Sequence, residues 1–265
     1  MKVKTCLRYP GGKFYASNKI KKFLEIKHDE YREVFAGGLS VFLAKELAPK
    51  LNWINDIDKD LINFYKIIQN QDARKQLYQL LDKEVANRDR HKEVKERVPK
   101  TKIEEAFRFF YLNRTSFSGI MKNPRWGFAL GSSIPPYKWT KTIEPVAQKL
   151  KDVKITNLDF SDVILAKSEN SGVLMYLDPP YYNAAKSLYT NDFKGGDHIR
   201  LANLLRETRF KFVLSYDDCP GVRKLYDWAN ISQINFTYFM SEGRRKKTNE
   251  VVITNFKANL LHYHD

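Results

Sequence analysis

The sequence predicts an α/β fold whose ligand site lies along one rim of a parallel sheet. Three observations carry that expectation. Short apolar runs, among them Trp53-Ile54-Asn55, Val153 to Leu158 and Val173 to Leu177, are separated by stretches of amphipathic helical spacing, and strands that alternate with helices build parallel sheets. Each run leads into an acid, Asp56, Asp159 or Asp178, and open α/β sheets bind ligands outside the carboxyl ends of their strands. Tyr31 to Phe35, followed by Ala36-Gly37-Gly38-Leu39, reads as strand, glycine turn and helix, a unit that receives nucleotide-like ligands. It lacks the full GxGxxG spacing, so a dinucleotide pyrophosphate is not indicated.

The most informative stretch is Val173 to Tyr182, a buried strand running into Asp178-Pro179-Pro180-Tyr181. Both prolines fix φ and donate no N–H, and Asp178 is pushed out of helical backbone by the proline after it. The resulting corner is stiff and rich in acceptors, with an aromatic face beside it. Such a corner suits an exocyclic amine on a flat ring: carboxylate and carbonyl take its two N–H groups while the ring stacks on tyrosine. Drawing those hydrogens out of plane returns the lone pair to nitrogen without a strong base. A proline-rich turn closing a strand accounts for the four residues alone equally well.

Composition narrows the class. The chain has 265 residues, 43% of them hydrophobic, enough for an α/β core plus a smaller inserted unit. With 46 Lys and Arg against 31 Asp and Glu, the formal charge of +15 favours a polyanionic partner such as nucleic acid. Cys6 and Cys219 offer neither a disulfide framework nor a metal spacing. No signal peptide or membrane-length apolar run is present in the sequence, and a cytoplasmic protein is expected.

In chain order, Tyr9-Pro10-Gly11-Gly12-Lys13 pairs glycines that admit a close ligand with a lysine able to reach a carboxylate; a tight turn with a solvated lysine is the plainer account. Asp58 reads as the cap of a helix over Leu61 to Ile68, while Asp56 is balanced between capping and accepting from ribose hydroxyls, with its place after a strand favouring ribose. Lys83 to Lys102 is a solvated helical face without assigned chemistry. Lys102 to Tyr111 is a helix with core aromatics. After it, Asn113-Arg114-Thr115-Ser116-Phe117-Ser118-Gly119 and Lys122-Asn123-Pro124-Arg125-Trp126 interleave basic, polar and aromatic residues, as a nucleic-acid loop or an ordinary basic hairpin would. Arg114 and Arg125 lead within it. Gln233 to Phe239 and Glu250 to Phe256 form a terminal hairpin whose basic connection, Ser241 to Asn249, either contacts phosphates or is a solvated turn.

The ordered set Tyr-Pro-Gly-Gly-Lys, Phe-Ala-Gly-Gly-Leu-Ser-Val, Asn-Asp-Ile-Asp, Asn-Arg-Thr-Ser-Phe-Ser-Gly, Asn-Leu-Asp-Phe and Asp-Pro-Pro-Tyr resembles the Dam-type DNA adenine-N6 methyltransferases of the alpha group. The resemblance implies an α/β, seven-stranded Rossmann-like S-adenosylmethionine-dependent methyltransferase core. Residues 1–60 and 152–265 would form the catalytic domain and 61–151 an inserted helical target-recognition domain. It implies S-adenosyl-L-methionine held by Tyr9, Lys13, Phe35, Ala36, Gly37, Gly38 and Ser40, with Asp56 on the ribose and Asp159 and Phe160 on the cofactor's adenine. Asp178 would border the cofactor and, with Pro179, Pro180 and Tyr181, grip the target adenine, flipped out of double-stranded DNA. Arg114, Ser116, Ser118, Lys122, Asn123 and Arg125 would contact that DNA. Transfer would be direct, without metal or covalent intermediate, by a monomer with no obligatory protein partner. A cognate restriction endonuclease is the one candidate companion. The recognition loop carries its own Thr115-Ser116-Phe117-Ser118, so no target sequence carries over. The rival readings are cytosine-N4 or RNA-adenine methylation, or an inert DNA-binding protein of the same fold.

Overall fold

The structure, a computed structural model, describes residues 3–9, 13, 16–182, 193, 195–239 and 245–258, with 235–239 and 245–249 as backbone only. Gly11 and Gly12 of the first motif, and Ser241 to Arg244 of the basic connection, lie outside the described residues.

Seven strands form one sheet in the order β3-β2-β1-β4-β5-β7-β6. They are β1 (Glu30–Glu33), β2 (Leu51–Asn55), β3 (Lys154–Thr156), β4 (Val173–Leu177), β5 (Lys211–Asp217), β6 (Asn230–Phe239) and β7 (Arg245–Thr254). The first five are mutually parallel; β7 runs antiparallel between β5 and β6. The seven-stranded sheet matches the expected core, and Arg245 to Asn249 belong to β7, not to the connection before it.

Side-chain alternation explains why the central strands are apolar throughout. In β4, Leu174 and Tyr176 enter one hydrophobic cluster while Val173, Met175 and Leu177 enter the other. In β5 and β7, Val213 and Val252 take the first face and Phe212, Leu214, Val251 and Ile253 the second. A parallel sheet covered on both faces requires this pattern.

Helices α1 (Ser17–Phe23) and α2 (Ser40–Ala44) flank β1, and the β2-to-β3 crossover carries α3 (Lys59–Gln69), α4 (Gln71–Leu81), α5 (Arg88–Glu96), α6 (Lys102–Thr115) and α7 (Trp139–Lys149). Four of these five begin at side-chain caps: Asp58, Asn70, Asn87 and Thr101 each accept from a backbone N–H one turn ahead. Phe64, Phe110 and Trp139 pack in the same cluster as Tyr31, Ile54 and Leu174, so the crossover helices cover the first face of the sheet. The second face is covered by α8 (Phe160–Leu165), α9 (Gly195–Glu207) and α10 (Pro220–Leu225). Among the described residues no helix is long and apolar enough to cross a membrane.

One boundary differs in a way that matters. The helix expected to stop at Tyr111 continues through Asn113-Arg114-Thr115. Its polar residues are satisfied inside: Thr115 Oγ1 donates to the Tyr111 carbonyl at 2.8 Å and Asn113 Nδ2 to the Arg8 carbonyl at 2.7 Å. The turn comes only at Ser118 and Gly119, both at positive φ (52° and 72°). A Cβ on Gly119 would stand 2.1 Å from the Arg8 carbonyl oxygen, so glycine is required there by close approach as well as by backbone angle.

Candidate active site at the carboxyl rim

The acids at the ends of β2, β3 and β4 come together, as the parallel arrangement demands. A cavity of about 220 Å³ is lined by Tyr9, Lys13, Glu33, Phe35, Ala36, Gly37, Gly38, Ser40, Asp56, Asp159, Phe160, Asp178, Pro179 and Pro180, among others. All eleven residues expected around the cofactor therefore face one space.

The glycine turn is built by contacts from three directions. Gly37 sits at φ +45°, and Leu39 at φ 59° sets the entry to α2. Gly37 N donates to Asp56 Oδ2 at 2.9 Å, and Tyr65 on α3 donates to the Gly37 carbonyl at 2.6 Å. A Cβ on Gly37 or Gly38 would lie 3.0 or 2.9 Å from Tyr9 side-chain atoms, so the turn stays bare for the tyrosine to pack on. Asp58 caps α3 by accepting from Asp60 N and Leu61 N. Asp56 instead faces the cavity, its carboxylate accepting from Gly37 N and Asp58 N.

At β3, Asp159 caps α8 through Ser161 N and is gripped in two places by Arg200 of α9, at 2.8 and 3.0 Å. The guanidinium lies 4.1 Å from the Phe160 ring, and Phe35 packs on Phe160 at 5.8 Å between centroids. At β4, Asp178 Oδ1 accepts from Lys13 Nζ at 2.6 Å and from Ser215 Oγ of β5 at 3.0 Å. Lys13, expected on a turn facing the cofactor, is 3% exposed and also donates to the Tyr181 hydroxyl at 3.0 Å.

Residues 9–240 match the family described as D12 class N6 adenine-specific DNA methyltransferase. The chain belongs to that family. It is similar to the type II methyltransferase M.CviBI of Paramecium bursaria Chlorella virus NC1A, at 25% identity covering 85% of this chain and 87% of that one. It is also similar to the type II methyltransferase M1.LlaDCHI of Lactococcus lactis subsp. cremoris (29%, covering 94% of each chain). A third relative is the retron Ec67 DNA adenine methylase of Escherichia coli (26%, covering 92% and 85%). The D12-class chain is thus an enzyme that methylates N6 of adenine in DNA.

The D12-class site holds two acids that its local sequence did not single out, Glu33 and Glu250. Glu33, the last residue of β1, accepts from the Tyr31 hydroxyl at 2.6 Å, and burial pushes its carboxyl up to about 8. Burial likewise raises Asp56 to about 6, against backbone N–H bonds from Asp58, Gly37 and Ile57 that hold it down. Asp159 moves oppositely, to about 2: its partial burial is outweighed by Arg200 and Ser161. An acid on the strand that runs through Val34 and Phe35 into a glycine turn is a readable signal for Glu33. Glu250 follows a polar stretch, and nothing nearby marks it.

The loop expected to face DNA splits in two. Arg114 and Ser116 are buried, correcting their expected surface position, because α6 runs on past Tyr111 and turns their side chains inward. Arg114 Nη1 donates to the Cys6 carbonyl at 3.4 Å, and burial lowers the guanidinium to about 10. Ser118, Lys122, Asn123 and Arg125 are exposed, as is Phe117 at 61%.

Proposed function

We propose that S-adenosylmethionine is the methyl donor and that it occupies the rim cavity beside the Asp178 corner, where an adenine extruded from duplex DNA is presented to it. The observation that carries this reading is the charge of the shared cavity. Six acids line it, Glu33, Asp56, Asp58, Asp159, Asp178 and Asp197; burial keeps Glu33 protonated at neutral pH, which leaves five carboxylates against two cations, Lys13 and Arg200. A surplus of carboxylates disfavours a pyrophosphate and favours a ligand bearing positive charge. The donor set also fits: Asp56 offers acceptors for ribose hydroxyls, Phe35 and Phe160 offer flat apolar faces, and Gly37 and Gly38, with Tyr9 packed on them, line the same cavity. When bound, S-adenosylmethionine supplies an electrophilic sulfonium methyl.

The chain's own residues do the rest by position. Asp178 and the Pro179 carbonyl accept the two N6 hydrogens, Tyr181 stacks on the purine, and Lys13 and Ser215 hold the Asp178 carboxylate in place. N6 would take the methyl group as S-adenosylhomocysteine leaves, and the surplus proton on N6 would pass by way of the Asp178 carboxylate to solvent. No strong base is needed, because the acceptors localise the lone pair that the ring otherwise delocalises. Extrusion of the base costs a few kcal/mol. Residues 61–151 supply recognition chiefly through 117–138, where Lys122 and Arg125 reach phosphates and the exposed Phe117 ring offers a face to a stacked base.

The test is transfer of labelled methyl from S-adenosylmethionine to methylation-free genomic DNA, with nucleoside analysis of the product. We expect N6-methyladenine alone, and for Asp178→Ala a loss of transfer on the order of a hundredfold or more with duplex binding retained. Label on cytosine N4, no label at all, or a near-normal Asp178→Ala would overturn the reading.

A further inference from the structure

The corner around Asp178 has a member on a different strand. Glu250 lies on β7, opposite Asp217 of β5 and Ile234 of β6, and is 1% exposed. The Tyr181 hydroxyl donates to its Oε1. Its Oε2 stands 3.9 Å from Lys13 Nζ and has no hydrogen-bond partner among the described residues. The other titratable groups that face it are Asp178, Asp217 and Tyr176. A carboxylate satisfied on one oxygen only, in an apolar strand continued by Val251 and Val252, is destabilising unless its neighbours use it.

We propose that Glu250 is a positioning residue for methyl transfer, which fixes the Tyr181 hydroxyl and shares Lys13 with Asp178. The inference rests on the role given above to Asp178. Lys13 carries one positive charge between two carboxylates. With Glu250 ionised, Lys13 is drawn toward it, and Asp178 Oδ1, which also accepts from Ser215, is released in part to take an N6 hydrogen. With Glu250 protonated, Lys13 belongs to Asp178 alone and competes with the target amine. Burial pushes the Glu250 carboxyl up to about 7, with Lys13 and the Tyr181 hydroxyl pulling it down. The group is protonated below that value and ionised above it, so transfer rises with pH through about 7.

Single-turnover transfer from S-adenosylmethionine to methylation-free genomic DNA, measured from pH 5.5 to 9, tests this in the whole enzyme. Glu250→Gln keeps the volume and an acceptor for Tyr181 but cannot ionise. We expect its transfer constant to fall by roughly 10–100-fold at pH 8, with the rise near pH 7 abolished and S-adenosylmethionine binding retained. In Tyr181→Phe the same substitution should cost less than it does alone, because part of its effect runs through the hydroxyl. A Glu250→Gln enzyme with the unsubstituted rate and an intact rise, or effects that simply add, would overturn the inference. An unsubstituted enzyme that binds S-adenosylmethionine yet labels no DNA would overturn the proposed function and this inference with it, a pattern distinct from either.

Discussion

Glu33→Gln isolates one buried proton in the stability of this protein. In the unfolded chain the Glu33 carboxyl takes its ordinary value of 4.5; in the fold, burial first and the nearby Asp178 charge second push it up to about 8, while the Tyr31 hydroxyl and Lys45 hold it down. The folded state therefore binds this proton more tightly than the unfolded state. The stability it contributes is fully present below about pH 4.5 and is lost as pH rises toward 8. A proton held through one pH unit corresponds to about 1.4 kcal/mol. The window of about 3.5 pH units thus sets a ceiling of about 5 kcal/mol. Local relaxation around the buried carboxylate brings the expected difference to about 2–3 kcal/mol. The amide of the variant cannot ionise. Urea unfolding at pH 5, 7 and 9 should show the variant level with or below the unsubstituted protein at pH 5 and above it at pH 9 by that amount. Asp56 and Glu250, the other acids raised by burial, move both proteins alike and cancel. Parallel pH profiles would refute the account, since they would mean that Glu33 titrates alike folded and unfolded.

Three further predictions address the glycine turn and the loop proposed to meet DNA. Gly38→Ala places a methyl 2.9 Å from the Tyr9 Cβ and should displace that ring, weakening S-adenosylmethionine binding by about tenfold in titration calorimetry at little change in folding stability; unchanged affinity would show that Tyr9 does not shape the site. Arg125→Ala should lower the salt slope of duplex binding by about 1, whereas Arg114→Met should leave that slope unchanged and be neutral or stabilising on thermal unfolding, because burial already disfavours the guanidinium. A reduced slope for Arg114→Met would mean that this arginine leaves the interior to meet DNA.

The rim was legible because its parts are local. An acid after a strand, a bare glycine turn and a double-proline corner each state their backbone geometry in a few residues, and the parallel sheet brings Asp56, Asp159 and Asp178 to one cavity. Two features hid in distance. Glu250 acquires its role from Tyr181, far away in sequence, and reads alone as the start of an apolar strand. Arg200 meets Asp159 across the space between α9 and α8, and its own helix gives no sign of it. Arg114 misled for a different reason. The run Asn113 to Ser116 looks like a loop by its polar residues, yet the packing of Phe110 and Tyr111 and internal bonds from Thr115 and Asn113 carry the helix through it.

The crossover helices hold up the sheet and frame the loop proposed to meet DNA at once, which constrains how such an enzyme could be retargeted. Transplanting 61–151 wholesale from a relative would exchange half an interior, because Phe64, Phe110 and Trp139 interlock with Tyr31, Ile54 and Leu174. Grafts confined to the exposed positions of 117–138, sparing Gly119 and Met121, would leave that interior in place. New specificities should accumulate in that short stretch, while the helices beneath change slowly and together.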